Sequence, residues 1–170
     1  MTQQKMVYEH VQIKSVLHYV NVWFLPFKWG ANTYRGCEHN CLYSNARYTH
    51  EYLGLPTGAF AHKILVKNNA AEVLDKEFSR ATWRNSLTVN LATVTDPYQP
   101  AETHFKITRR VLEVFLKHHN ALLITTKSDL ILRDLVEKLK SSESFSLSQV
   151  TYCVLFSMWR QSSRKRVFLP

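Results

Sequence analysis

Leu87-Thr88-Val89-Asn90-Leu91-Ala92-Thr93-Val94-Thr95-Asp96-Pro97-Tyr98-Gln99-Pro100 is the stretch that decides the fold class. Residues 87–93 are short, β-branched and apolar, as a buried strand requires, and Thr95 to Pro100 carries the residues that turn a chain. Behind it, residues 101–118 place Ile107, Val111, Leu112, Val114 and Phe115 on one helical stripe. Residues 121–125 then form a second apolar run of strand length, ending at Thr126-Lys127-Ser128. Strand, loop, helix and strand in that order make a βα unit, and such units build parallel sheets.

The same alternation extends in both directions. Residues 29–34 read as a first strand leading into Arg35-Gly36, and residues 45–53 as a helix closed near Gly54. Residues 62–67 alternate as a strand, and Asn68 or Asn69 is positioned to cap a helix over 70–80, with Val73, Leu74 and Phe78 on one face. Ser128 or Asp129 can cap a helix running to Lys140, residues 141–148 form a serine-rich connector, and residues 149–156 read as a last strand. In parallel α/β proteins, ligands lie beyond the carboxyl ends of the strands. The loops with unusual chemistry, residues 35–44, 95–100 and 126–128, all begin there.

Composition bounds the possibilities. The chain has 170 residues, 45% hydrophobic and 21% charged, which suits one globular domain and excludes wholesale disorder. Its apolar runs fall far short of the ~20 residues of a membrane helix. The first eight residues lack the charged-then-apolar order of a secretory signal, so a cytoplasmic location is expected. Net charge is +9, of which Arg160, Arg164, Lys165 and Arg166 supply +4 in a tail without acids, leaving +5 elsewhere. That balance favours phosphate-bearing partners through long-range attraction, nucleic acid among them, although no known nucleic-acid-binding motif is present.

Three cysteines without a secretion signal argue against a disulfide framework. Cys37 and Cys41 stand four apart in Tyr34-Arg35-Gly36-Cys37-Glu38-His39-Asn40-Cys41, and two thiolates on one loop can bind the same soft metal centre. With His39 and His50 they would make a Cys₂His₂ zinc set, although the usual knuckle spacings are absent; two reduced thiols in a surface loop is the plainer alternative. Cys153 lies in an apolar run and reads as a packed strand residue, remote from the loop.

The stretch Asn32-Thr33-Tyr34-Arg35-Gly36-Cys37-Glu38-His39-Asn40-Cys41-Leu42-Tyr43-Ser44-Asn45-Ala46-Arg47, with Thr49-His50-Glu51-Tyr52-Leu53-Gly54, resembles the cluster region of radical S-adenosylmethionine proteins. It is most similar to the branch related to spore photoproduct lyase, the DNA repair photolyase-like proteins. The resemblance continues through residues 63–68, 95–102, 124–128 and 132–135, and covers roughly residues 14–150. It implies a partial barrel of parallel strands and a [4Fe–4S] cluster held by a C-x3-C-x2-C triad, with one iron left open to S-adenosylmethionine. It implies Cys37 and Cys41 as cluster ligands. Thr95 and Asp96 would contact S-adenosylmethionine or order their loop, Lys127 would pair with its carboxylate, and Ser128 would belong to the same binding loop. Tyr98 and Gln99 would face substrate, or Tyr98 would simply pack the turn. An electron-donor protein would be a partner, and reductive cleavage to a 5′-deoxyadenosyl radical the activity.

Two departures from that pattern carry expectations of their own. The third position of the triad is Ser44, whose hydroxyl is far less acidic than a thiol and a harder donor, so a weakened, labile or absent cluster is expected. After Val150 the pattern gives way to a basic tail. The expected organisation is therefore an extension over 1–28, an incomplete (βα) barrel over 29–156 and a non-family tail over 157–170, a truncated or frame-shifted form of a longer ancestor. A catalytically dead remnant, or a basic nucleic-acid-binding module without a cluster, is the alternative to an active lyase-like enzyme.

Overall fold

The computed structural model describes residues 5–134 and 150–154. The strands are β1 (Val7–Val11), β2 (Leu17–Tyr19), β3 (Trp29–Ala31), β4 (Tyr34–Arg35), β5 (Lys63–Lys67), β6 (Val89–Leu91), β7 (Leu122–Thr126) and β8 (Val150–Val154). The helices are α1 (Tyr48–Glu51), α2 (Ala70–Phe78), α3 (Ala101–Phe105) and α4 (Ile107–Lys117). The protein is a mixed α/β chain with two mixed sheets among the described residues.

The larger sheet has the order β2-β3-β6-β7-β8. From β3 to β8 the strands are parallel and follow chain order, as successive βα units must when each helix packs back onto the sheet. Residues 89, 91, 122 and 124 face the helices. Val89, Leu91, Leu122 and Ile124 are buried in one core with Leu74 and Phe78 of α2 and Val111, Leu112, Val114 and Phe115 of α4. Burying each such side chain contributes about 1.5–3 kcal/mol, and this layer fixes the sheet's orientation. The stacked pair Phe78–Trp83 closes one edge of that core.

Four features differ from the expectations drawn from sequence. The strand at residues 62–67 leaves the parallel run. As β5 it forms a separate sheet of order β1-β5-β4, parallel to β1 and antiparallel to β4. Strand pairing depends on which edges meet, which no local pattern records. The segment before residue 29 also supplies strands to both sheets, β1 to the smaller and β2 to the larger. It is held by the buried Glu77, whose carboxylate accepts from the N–H groups of Val16 and Leu17 at 3.2 and 3.1 Å.

The helical pattern over 101–118 is broken at Lys106, which adopts a left-handed φ of 51°. Glu102 is the cause. Its carboxylate accepts from the N–H groups of Thr108 and Arg109 at 2.9 and 3.0 Å, capping α4 with a side chain from α3. Asn69, expected to cap α2, makes no cap bond; it hydrogen-bonds instead to the backbone of Ile13 through both ends of its amide. The helix expected after Ser128 is helical over 131–134, and its continuation to Lys140, like the serine-rich connector and the basic tail, lies outside the described residues. No helix among the described residues is long and apolar enough to cross a membrane.

Candidate functional site

The carboxyl ends of β6 and β7 meet one loop, residues 36–47, around a cavity of about 240 Å³. Cys37, Cys41 and Ser44 line it from the loop, Thr95 and Asp96 from the segment after β6, and Lys127 from the segment after β7. Of the residues singled out from sequence, these six thus converge, whereas Ser128, Tyr98, Gln99 and His50 are not part of this wall. Ser128 lines a neighbouring open cavity of about 490 Å³ with Tyr98, Asp129 and Arg133, and His39 belongs to the walls of both.

The loop takes its shape from backbone chemistry. Gly36 has φ 89°, the left-handed region, and a side-chain carbon there would stand 2.8 Å from the Lys63 carbonyl oxygen, so only glycine fits. The Cys37 N–H donates to the Phe60 carbonyl at 3.0 Å, and the N–H groups of Asn40 and Ser44 close turns onto the carbonyls of Cys37 and Cys41 at 3.2 and 3.1 Å. Arg47 clasps the turn from below, donating to the Asn40 side chain at 2.6 Å and to the Cys41 carbonyl at 3.1 Å. Opposite the loop, Ala92 is held at φ 111°, a strained value for a residue with a side chain, costing on the order of 1–3 kcal/mol. Asn32 holds the next turn, its Oδ1 accepting from the N–H groups of Thr93 and Val94, each at 3.0 Å.

Thr95 and Asp96 use their polar groups within the protein. The Thr95 hydroxyl donates to the Gly36 carbonyl at 2.6 Å and accepts from the Gln99 amide at 3.2 Å. Gln99 is fully buried, donates also to the Gly36 carbonyl, and accepts from the Glu38 N–H at 3.0 Å. It is a latch between two loops; Gln99 is fully buried, and Tyr98, also buried, packs its turn and lines the neighbouring cavity. Asp96 accepts from the Tyr98 N–H, the Thr126 hydroxyl and the Lys127 N–H at 2.8, 2.7 and 2.8 Å, stitching the β6 loop to the β7 loop. Its Oδ2 also lies 3.4 Å from His39 Nε2.

The two thiols differ. Cys37 is 9% exposed, and burial pushes its thiol up to about 11, so a metal must displace its proton. Cys41 is half-buried, and the Lys127 ammonium donates to its sulfur at 2.9 Å while lying 4.1 Å from the centre of the Tyr43 ring. The zinc set imagined from sequence does not assemble. His50 is fully buried outside this cavity, bonded through Nε2 to the Lys63 carbonyl at 2.8 Å and edge-on to Phe60. Among the described residues no three His, Cys, Asp or Glu side chains are grouped to hold a metal ion.

Sequence reasoning missed Glu38, whose carboxylate accepts from the Ala101 N–H at 2.7 Å and the Tyr8 hydroxyl at 3.1 Å, tying the cysteine loop to α3 and β1. It also missed Ala92, Thr93 and Thr125 in the cavity wall. For these three, a position immediately beyond, or at the end of, a parallel strand was the available signal.

Comparison with known proteins gives relatives of this chain without a described activity. An uncharacterized protein of Mycobacterium tuberculosis is 42% identical over 130 residues, 75% of this chain and 38% of the relative. An uncharacterized protein of Mycobacterium bovis shows the same figures. One from Methanocaldococcus jannaschii is 32% identical over 108 residues, 64% of this chain and 38% of that protein. The chain therefore spans 38% of the length of these relatives. No family model and no solved structure matches it.

Proposed function

We propose that the cavity is the cofactor site of a protein of the radical S-adenosylmethionine type, in which the parallel run from β3 to β8 belongs to a partial barrel. A single observation carries the reading. Residues from three separate stretches, Cys37 and Cys41, Asp96, and Lys127, share the wall of one cavity at the carboxyl ends of parallel strands. Two thiols in one cavity suit a soft metal centre, and the strand-end location is where α/β proteins hold their ligands.

The donor set fits an iron–sulfur cluster at Cys37 and Cys41 and falls short at Ser44, whose hydroxyl is a poor ligand for iron–sulfur chemistry although the residue lines the same cavity. The chemistry that such a group supplies when bound is one-electron reductive cleavage of S-adenosylmethionine to methionine and a 5′-deoxyadenosyl radical. The protein's own contribution is positional. Asp96 and Gln99 fix the three loops in one arrangement, Cys37 and Cys41 present thiols from successive turns, and Lys127 supplies a cation beside Cys41 for the carboxylate of the bound ligand. An external one-electron donor completes the requirement.

Anaerobic reconstitution with iron and sulfide tests the reading. Cys37→Ala and Cys41→Ala, each compared with the parent chain, are expected to lose bound iron and the visible thiolate-to-iron absorption. Equal iron retention in all three proteins, or none in any, would contradict it. The same proteins titrated with zinc serve as a control, since a zinc site built on both thiols would lose zinc in the same variants while taking up no sulfide.

A further inference from the structure

The face of the two sheets turned away from α2 and α4 is polar, and it carries more cations than acids. Residues 29–35 run from β3 of the larger sheet into β4 of the smaller one and join the two. Ala31 and Tyr34 belong to the helix-side core with Val89 and Leu91. Alternation gives the opposite face Gly30 and Asn32 from this segment, and Asn90, the register partner of Gly30. In β5, Ile64 and Val66 belong to the helix-side core, so Leu65 and Lys67 take the polar face. Arg35 joins them as the register partner of Leu65. Glu9 pairs with Leu65 from the other side, but its carboxylate is engaged by Lys63 at 2.9 Å.

Lys67 reaches across to the larger sheet, where its ammonium donates to the Asn32 carbonyl at 2.7 Å. The Asn32 amide donates to the Thr93 hydroxyl at 2.7 Å, and His18 Nε2 lies 2.9 Å from the same oxygen. Gly30 makes room for that ring, since a side-chain carbon there would stand 2.5 Å from His18 Nε2. Among the described residues, neither Lys67 nor Arg35 makes an ion pair, and Arg35 makes no hydrogen bond. Like charges repel more strongly where water is thin, and burial with the Arg35 charge pushes the Lys67 ammonium down to about 8. Asn90 is 5% exposed, and its side-chain oxygen has no hydrogen-bond partner. Buried polar atoms are nearly always satisfied, so this exception, on a face with unmatched cations, points to a ligand.

We propose that this face binds a small molecule carrying an oxyanion, phosphate or carboxylate, held by Lys67 and Arg35, and a hydrogen-bond donor for Asn90. An ammonium and a guanidinium on one face match an oxyanion by charge and by donor geometry. The partial burial of Lys67 and the near-complete burial of Asn90 suit a small molecule, whereas a nucleic-acid backbone is met by exposed side chains. The site does not depend on a metal centre. It adjoins the cavity of Cys37 and Cys41, because Thr93 belongs both to the hydrogen-bonded network and to the cavity wall.

The test uses the full chain without added metal, and the variants Lys67→Met, Arg35→Gln and Lys76→Met. Lys76 is exposed on α2, so its variant removes one positive charge away from the site. The probes are inorganic phosphate and glycolate, each with an oxyanion and a hydroxyl, and a single-stranded oligonucleotide. Binding is read from the rise in melting temperature with probe concentration, and from mass-spectrometric mapping of lysine acetylation with and without probe. The expected result is saturable stabilisation of the parent by phosphate or by glycolate, whichever binds naming the anionic group. Lys67 should be protected from acetylation by that probe while Lys76 is not. Lys67→Met and Arg35→Gln should each bind about tenfold more weakly, the effect of losing one charge-assisted hydrogen bond, and Lys76→Met like the parent. Should the first two variants fail to fold, protection of Lys67 in the parent decides alone. Equal stabilisation of parent and Lys67→Met, equal weakening in Lys76→Met, or unprotected Lys67 would overturn the inference. Binding of the oligonucleotide without either small probe would overturn it too.

Discussion

Asp96→Ala is expected to lower the stability of the folded chain by about 4 kcal/mol, because it removes the acceptor of three hydrogen-bond donors. The Asp96 carboxylate is 9% exposed and receives the Tyr98 N–H, the Thr126 hydroxyl and the Lys127 N–H. Each buried donor left without an acceptor costs about 1–3 kcal/mol, and two of these are backbone groups that cannot turn away. For a chain of this size the loss corresponds to roughly 10 °C in melting temperature. Urea unfolding followed by circular dichroism measures it. The variant also separates two roles for Asp96. A carboxylate needed only to touch a bound ligand would leave the empty protein's stability unchanged, whereas a stitch between loops gives the full loss without any ligand.

The second large effect concerns Glu102. It is fully buried and accepts from the Tyr34 hydroxyl and from the N–H groups of Thr108 and Arg109, so Glu102→Ala should cost about 3 kcal/mol or more. Its pH dependence has a definite sign. Burial raises the Glu102 carboxyl above its ordinary value of 4.5, outweighing the hydrogen bonds from Tyr34, Thr108 and Arg109 that lower it. The folded state therefore holds this proton more tightly than the unfolded state. Its contribution to stability is complete below pH 4.5 and is lost as the pH rises through the raised folded value. Glu102→Gln cannot titrate. The difference in unfolding free energy between parent and Glu102→Gln, measured from pH 4 upward (about the unfolded glutamate value), should move against the parent as pH rises. A flat difference would show that Glu102 titrates alike in both states.

Much of the molecule was legible in its sequence because the signals are local. Strand propensity with apolar runs located β3, β6 and β7, and a stripe of Val111, Leu112, Val114 and Phe115 located α4 and its buried face. The break at Lys106 was not legible, because no glycine or proline announces it. It follows from a capping carboxylate on Glu102 whose partners are known only once both helices exist. The departure of β5 into its own sheet was likewise a matter of which edge, β1 and β4 or the parallel run, completes the better pairing.

For the candidate site, the rule that ligands gather at strand ends brought Cys37, Cys41, Ser44, Thr95, Asp96 and Lys127 to one cavity. What it could not assign was the division of labour. Gln99 and Thr95 carry residue types common in binding sites, yet their bonds run to Gly36 and Glu38 and hold the loop itself. His50, a metal-ligand type within reach in sequence, is packed on Phe60 and bonded to a backbone carbonyl. Tertiary partners decide such roles.

The most direct test of the central claim is the reduced-state electron paramagnetic resonance spectrum of the anaerobically reconstituted protein, recorded with and without S-adenosylmethionine. A cluster with an iron open to the ligand predicts a shifted signal on addition, weakened in Lys127→Ala. A bound, reducible cluster whose spectrum is identical with and without S-adenosylmethionine would contradict the assignment of this cavity.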